Sequence, residues 1–396
     1  MLHAIQQMKG GFVMQWMTEE TGWLLPEAAL SGSEMLQPER LLRLGAGLVQ
    51  AAPACMVGCA EGGFARACAM QICSGAAAAG GDAVLIPECT IGELGTSSLH
   101  TPCGVLAYCA DNGLRLFSRG LLPLTAAQEQ TVLNGGTEPG MLRGSEYGNI
   151  TDGSALRQYY VNRLKARLPE HMPARVHAET AQHRLQSLLS PLLRGGRGDV
   201  LTLQISADGC RASVYSEKHG WIFYEKLLLM VALAYLEQGE DAALPYWLPQ
   251  TAGALGSRFG RRVLRFAPHP DGGDTEARAL AVRQGFALDG ALLCADFLRF
   301  HAERYRDLQR WADAIPPCHT IRRVLSASRA RDAAERCARS MQIRKTPEGI
   351  RAEDARGTAL LHPARSGKTA ALLIEAANME LAQELAAELT PPLSGE

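Results

Sequence analysis

Net charge is what this chain has least of. Its 396 residues carry 40 lysines and arginines against 41 aspartates and glutamates, a balance of −1 with an isoelectric point near 6.8. Without a basic excess there is no global electrostatic pull toward nucleic acid or an anionic membrane, and neither is expected as a partner. Long apolar runs are lacking as well. The longest candidate, LLLMVALAYL at 227–236, is too short to cross a bilayer and reads as a buried helix. The N-terminus has no charged-then-apolar signal region, so the expected location is the cytoplasm. Eleven cysteines are present, yet none are paired as Cys-x-x-Cys. With an odd count and no export signal a disulfide framework is not expected, and without clustered Cys and His ligands neither is a zinc site. The cysteines are expected to act as small core hydrophobes.

What is present is an ordinary globular composition, 47% hydrophobic and 20% charged, over a length that favours several domains. The first third alternates helix and strand. Pro38 opens a helix over LLRLGAGLVQ, a strand follows at 54–58, and a small-residue helix from Phe64 to Ala79 ends at Gly80-Gly81. A strand at 83–86, a short helix at 91–98 and a capping box between Thr125 and Gln128 complete a βαβ pattern with a largely parallel sheet. The glycine-rich run 134–153 reads as a linker. A helix from Ser154 to Leu168, strands at 175–179, 200–206 and 212–217, and apolar helix 224–237 suggest a second αβ unit. Residues 242–317 are less regular, with a loop at 267–275 and a helix at 287–304. Pro316-Pro317 marks a boundary. The remainder reads as strand 319–325, helix 328–341, a three-strand antiparallel meander at 348–354, 357–362 and 369–376, and a helix capped by Asn378. The expected domains are 1–150, 151–240, 241–317 and 318–396.

One segment stands out, GVLAYCADNGLRLF at 104–117. Asn112-Gly113 between two apolar runs is a strong hairpin signal, because both central residues of a type I′ turn need positive φ. The segment resembles the α-D-phosphohexomutases (phosphoglucomutase, phosphomannomutase and phosphoglucosamine mutase), in which a Gly-Ile-Met strand leads through T-A-S-H-N-P to an N-G-I-K-L-F strand. Further segments resemble the same family in the same order. MVG (56–58) stands where the family has V-V-G-R-D, and VLTLQISADGCRASVYSEKHGWI resembles its metal-loop region, A-F-D-G-D-G-D-R. FALDGALLCADFLRFHAE is similar to the helix that closes its third domain, and EGIRAEDARGTALLHPARSGKTAALLIEAA is similar to its fourth-domain meander. The resemblance implies an α/β, four-domain architecture: three α/β domains with mixed sheets and a C-terminal α+β domain.

The departures fall on the chemistry. Where the family carries its phosphoserine this chain has Ala110 or a deletion beside it, and the His-Asn-Pro is absent. Cys109 is adjacent; a thiol there is either a nucleophile or a packing residue. Against the three aspartates that hold magnesium in the family stand Ser206, Asp208 and Cys210, too few hard oxygens for Mg²⁺. Arg211 matches the family's arginine and is expected in a salt bridge with Asp208 or Glu217. The sugar loop G-E-x-S-G-H has no counterpart in GGDTEAR (272–278), and only Thr21-Gly22 echoes the N-terminal G-T-x-G-x-R-G. The phosphate loop R-P-S-G-T-E-P becomes HPARSGKT, with His362 replacing the arginine. Arg365, Ser366, Gly367, Lys368 and Thr369 there supply a guanidinium, an ammonium and hydroxyls fit for an anion. This G-K-T is not a Walker A loop, which needs a glycine at position 362 and a strand-to-helix turn. The expected function is that of a mutase-like protein that has lost phosphoryl transfer, binding a sugar phosphate or a protein partner and needing no cofactor. The alternative is an active, divergent phosphosugar mutase using Mg²⁺. The oligomeric state is left open by the sequence.

Overall fold

The computed structural model describes residues 23–24, 38–110, 113–134, 146–267, 272–305, 307–316, 319–346, 348–363 and 369–390. Its first sheet has six strands: β1 (Trp23–Leu24), β2 (Ala54–Cys59), β3 (Asp82–Ile86), β4 (Val105–Ala110), β5 (Gly113–Ser118) and β6 (Ile150–Asp152), in the order β1-β5-β4-β2-β3-β6. β4, β2, β3 and β6 run parallel, and β5 is antiparallel to both its neighbours. Parallel neighbours are what alternating strands and helices demand, since each crossover carries a helix. Those helices are α1 (Pro38–Ala51), α2 (Gly63–Ala78) and α3 (Ile91–Ser98), followed by α4 (Ala126–Asn134). The Thr125 capping box forms as read, with Gln128 N–H donating to the threonine hydroxyl at 3.2 Å and Thr125 N–H donating to the glutamine carbonyl at 3.0 Å.

Glycines let α1 and α2 touch. A Cβ on Gly45 would lie 2.0 Å from the Ile72 carbonyl oxygen, and one on Gly75 would lie 2.0 Å from that of Leu42. Two glycines facing opposite helices bring the backbones into contact and leave no room for any side chain there. The end of the expected linker corrects the sequence reading: residues 150–152 are a strand of this sheet, paired to β3 through Ala83 and Ile150. The Asp82 carboxylate starts that pairing by accepting the Asn149 N–H at 2.8 Å. Residues 135–145 of that run, and Thr21-Gly22, lie outside the described residues. The hairpin register also differs from a simple Asn-Gly turn. Ala110 pairs with Gly113, so positions 111 and 112, outside the described residues, join the strands and Gly113 is already a strand residue.

The second sheet orders β10 (Gly220–Ile222), β9 (Ala212–Ser216), β8 (Val200–Ile205) and β7 (Arg175–Glu179), with helix α5 (Arg157–Lys165) before β7 and α6 (His183–Leu192) between β7 and β8. Helix α7 (Tyr224–Glu237) follows; every residue from Leu227 to Leu236 is buried within this chain. A pair of parallel strands, β11 (Ala242–Pro245) and β12 (Val263–Phe266), replaces the irregularity expected for 242–317. Four-residue strands separated by helix α8 (Thr251–Arg258) are too short for a period-2 pattern to register. Helices α9 (Thr275–Gln284), α10 (Gly290–Glu303) and α11 (Leu308–Asp313) complete this region. One continuous core joins the second sheet to this third one.

The last sheet has five antiparallel strands in the order β13 (His319–Ser326), β17 (Thr369–Ala376), β16 (Gly357–Pro363), β15 (Gly349–Glu353) and β14 (Gln342–Thr346). The expected three-strand meander is its centre. β14 escapes sequence reading because its first four residues, Gln-Ile-Arg-Lys, are exposed, which leaves no alternation to detect. Helices α12 (Ala327–Ser340) and α13 (Met379–Leu389) cover one face, and the Asn378 side chain caps α13 as read. Among the described residues no helix is long and apolar enough to cross a membrane.

The helix contact gives a first test. Gly75→Ala forces α1 and α2 apart and is expected to cost about 1–3 kcal/mol in urea unfolding, in the range of overpacked cores. The exposed Gly63→Ala, whose Cβ meets nothing, serves as the comparison and stays within about 0.5 kcal/mol.

Candidate functional site

The loops of the first three sheets converge on one point, and Arg115 occupies it. Arg115 lies in β5, with its side chain 3% exposed. Its Nη1 donates to Asp208 Oδ2 at 2.9 Å and to Cys210 Sγ at 3.1 Å. The guanidinium also lies 4.8 Å over the Phe117 ring. Asp208 and Cys210 belong to the turn between β8 and β9, which is held by its own hydrogen bonds. Ser206 Oγ donates to Asp208 Oδ1 at 2.5 Å, and the Cys210 N–H donates to the same oxygen at 3.0 Å. The Arg211 N–H donates to Ser206 Oγ at 3.0 Å, and Gly209 holds φ +75, a conformation that favours glycine. Helix α10 seals the turn from behind: the Gly290 N–H donates to the Gly209 carbonyl at 2.9 Å, and a Cβ at 290 would lie 2.5 Å from the Arg211 carbonyl.

Burial pushes the Asp208 carboxyl up, but the Arg115 guanidinium, the Ser206 hydroxyl and the Cys210 amide outweigh it and hold the pKa below the usual carboxylate value. Burial pushes the Cys210 thiol up to about 12 despite the nearby Arg115. Both Asp208 oxygens are thus already engaged, by a hydroxyl and an amide on one side and a guanidinium on the other. Mg²⁺ wants near-octahedral oxygen donors, and a protonated thiol and an arginine do not supply them. The residues of this loop do not fit the magnesium ion that the resemblance implies. Among the described residues no group of three or more His, Cys, Asp or Glu side chains is placed to hold a metal.

Of the residues singled out from sequence, Asp208 and Arg211 meet here, with Arg211 5.6 Å over the Tyr224 ring. The ion-pair partner of Asp208 is Arg115, which sequence reading missed; a charge inside the otherwise apolar strand GLRLFS was the available signal. Cys109 is 2% exposed in the first core, and burial pushes its thiol well up, so it packs rather than attacks. Of the ten described cysteines nine are buried and none is in a disulfide. Arg365, Ser366, Gly367 and Lys368 lie outside the described residues. Thr369 begins β17, pairing with Ser326, so the turn joins two strands as expected. His362, at the family's arginine position, is buried with Nδ1 bonded to the Glu348 carbonyl at 2.5 Å and its ring 4.3 Å from Tyr246. The GGDTEAR segment is tied down by Arg278, which donates to the Pro123 carbonyl at 2.5 Å.

Between these groups remains a cavity of about 70 Å³, walled by Phe117, Leu121, Cys210, Arg211, Tyr224, Tyr246 and Trp247 beside Arg115. Two buried couplings hold the surrounding units together. Glu93, which closes the capping box of α3 with Thr90, takes Arg184 of α6 bidentately at 2.7 and 2.5 Å. The Tyr160 hydroxyl meets the Asp289 carboxylate at 3.0 and 2.9 Å, and Asp289 N-caps α10.

Among solved structures, this chain is similar to a phosphoglucomutase/phosphomannomutase family protein from Burkholderia thailandensis at a TM-score of 0.63 and 13% identity, covering 93% of this chain and 96% of that one. It is also similar to parafusin, a phosphoglucomutase from Paramecium, at a TM-score of 0.60 and 11% identity, over 91% of this chain and 94% of that one. The fold is that of the α-D-phosphohexomutases. No protein-family model matches the chain, and no curated protein matches it in sequence. Arg115 lies in β5 of the first sheet, and its guanidinium reaches across to the turn between β8 and β9 of the second.

Arg115→Met leaves the Asp208 carboxylate buried without its main counter-charge and is expected to cost about 3–5 kcal/mol near pH 7. The depressed pKa of Asp208 adds stability above its unfolded value of about 3.9, lost as pH falls through the folded value. In the variant that pKa loses the largest of the contributions that lower it. The stability gap in urea unfolding therefore is widest at neutral pH and narrows on acidification; a gap independent of pH would contradict the ion-pair account.

Proposed function

We propose that this chain is a phosphohexomutase-fold protein without phosphoryl-transfer activity, a pseudoenzyme related to carbohydrate metabolism that works without a metal. The carrying observation is Arg115: its guanidinium binds Asp208 at 2.9 Å in the turn where the mutase reaction needs a divalent cation. Phosphoryl transfer is catalysed by positioning a donor in line and neutralising charge on the moving group. Ala110 supplies no seryl oxygen, and Cys109 is buried away from the cleft. The space beside Arg115 is about 70 Å³, small against the roughly 300–1,000 Å³ of ordinary ligand pockets.

The remaining anion chemistry is in the turn Arg365–Thr369, where arginine, lysine and two hydroxyls suit a sugar phosphate. Binding there without turnover is the proposed activity, with a protein partner as the other occupant. Buried thiols with no disulfide among them suit a reducing compartment, which supports a cytoplasmic location.

Intact-mass measurement after incubation with glucose 1,6-bisphosphate and Mg²⁺ is expected to show no added phosphoryl group. A thermal-shift series with glucose 1-phosphate and glucose 6-phosphate is expected to raise Tm equally with and without EDTA. A stable phosphoryl adduct, or turnover that EDTA abolishes, would establish the divergent mutase instead. A flat thermal response would leave the protein-partner role.

A further inference from the structure

The C-terminal sheet covers only one of its faces with helices. Ile321, Ala352, Ala359, Leu361, Leu372 and Ile374 belong to the core beneath α12 and α13. The opposite face is set by register: Arg322 lies across from Leu373, Leu373 from Leu360, and Leu360 from Arg351. Directly paired residues share a face, so these side chains stand together away from the helices. Opposite them are Leu229 of α7 and the Trp247–Pro249 loop after β11. Between the two walls is a pocket of about 530 Å³. Its size and its place at the junction of units are those of a small-molecule site, and it is larger than the central cavity.

The charges around it sort into two groups. Arg265 is half-buried and anchors the loop by donating to the carbonyls of Pro245 at 3.0 Å, Leu248 at 2.7 Å and Pro249 at 2.5 Å. Burial and the neighbouring Arg351 pull its pKa down to about 10, still charged at neutral pH. Arg351 pairs with Glu348 at 2.9 Å, and Glu375 accepts the Gln250 N–H, so two arginines and two glutamates balance. The rim of the pocket carries Arg322 and Lys226 against Glu225, with His319 nearby, a net cationic edge over an apolar floor. The Arg322 guanidinium lies 5.6 Å over the Trp247 ring, which aims a planar cationic fork along the pocket wall.

We propose that this pocket binds a small amphipathic organic anion, an apolar or aromatic body bearing one carboxylate, sulfonate or phosphate. The body lies against Leu229, Leu360 and Leu373, and the anionic group meets Arg322 with Lys226 beside it. The proposal is independent of whether mutase chemistry is lost, since Leu229, Leu360, Leu373, Arg322 and Lys226 lie outside the central cleft; the two cavities share only the Tyr246–Trp247 wall among the described residues.

The probe is 8-anilinonaphthalene-1-sulfonate, titrated by fluorescence and by calorimetry. The wild-type chain is expected to bind one equivalent saturably. Arg322→Gln is expected to weaken binding about tenfold with Tm unchanged, and Leu373→Trp, which fills the pocket, to abolish it. Arg339→Gln, on the exposed side of α12, is the charge control and retains wild-type affinity. The proposal is overturned if Arg322→Gln binds as the wild type does, if Arg339→Gln weakens binding equally, or if the titration shows many unsaturable sites. Should Leu373→Trp fail to fold, Arg322→Gln alone decides.

Discussion

A single ion pair at the meeting point of three sheets organises this molecule. Arg115 comes from the first sheet and Asp208 from the second, and the turn that carries Asp208 is pressed from behind by helix α10 of the third region. A carboxylate so deeply placed needs a counter-charge, or the pocket around it must open to water. An arginine meets that need with a cation covalently fixed to the chain. The surrounding geometry follows: Phe117 and Tyr224 line the guanidinia, the cleft narrows, and the neighbouring loops close on aromatic rather than polar surface. An exchangeable metal would have required the opposite, an open coordination sphere of hard oxygens.

Much of the frame was legible from residues alone because its signals are local. Pro38 at a helix start, Thr125 with Gln128, and Asn378 before the last helix each mark an element by chemistry within four residues. The helix at 224–237 was readable as core because nothing but burial accounts for its apolar run. The losses have physical causes. Strand 150–152 is three residues held by a distant aspartate, and β14 is an edge strand with an exposed, charged face. β11 and β12 are too short to display a period. None of these is encoded by a pattern inside its own segment.

The site was half legible. The resemblance pointed to the turn 206–211 and to the few hard oxygens in it, but not to the arginine that reaches Asp208. Arg115 lies 93 residues from Asp208 in the chain, and no local rule couples them. The expectation that Arg211 would take that carboxylate was reasonable by proximity. The fold gives the ion pair to the strand across the cleft and turns Arg211 toward Tyr224.

The exposed strand β14 has a consequence beyond its absence from the sequence reading. An outermost strand presents unpaired backbone donors and acceptors, a template on which another chain can grow a sheet. Here that margin carries Arg344 and Lys345 on adjacent residues. Two like charges on the rim disfavour in-register approach by a second copy, whose own pair would meet them. Charge on an outermost strand is one of the devices by which natural sheets disfavour edge-to-edge growth, and β14 carries two such residues in a row.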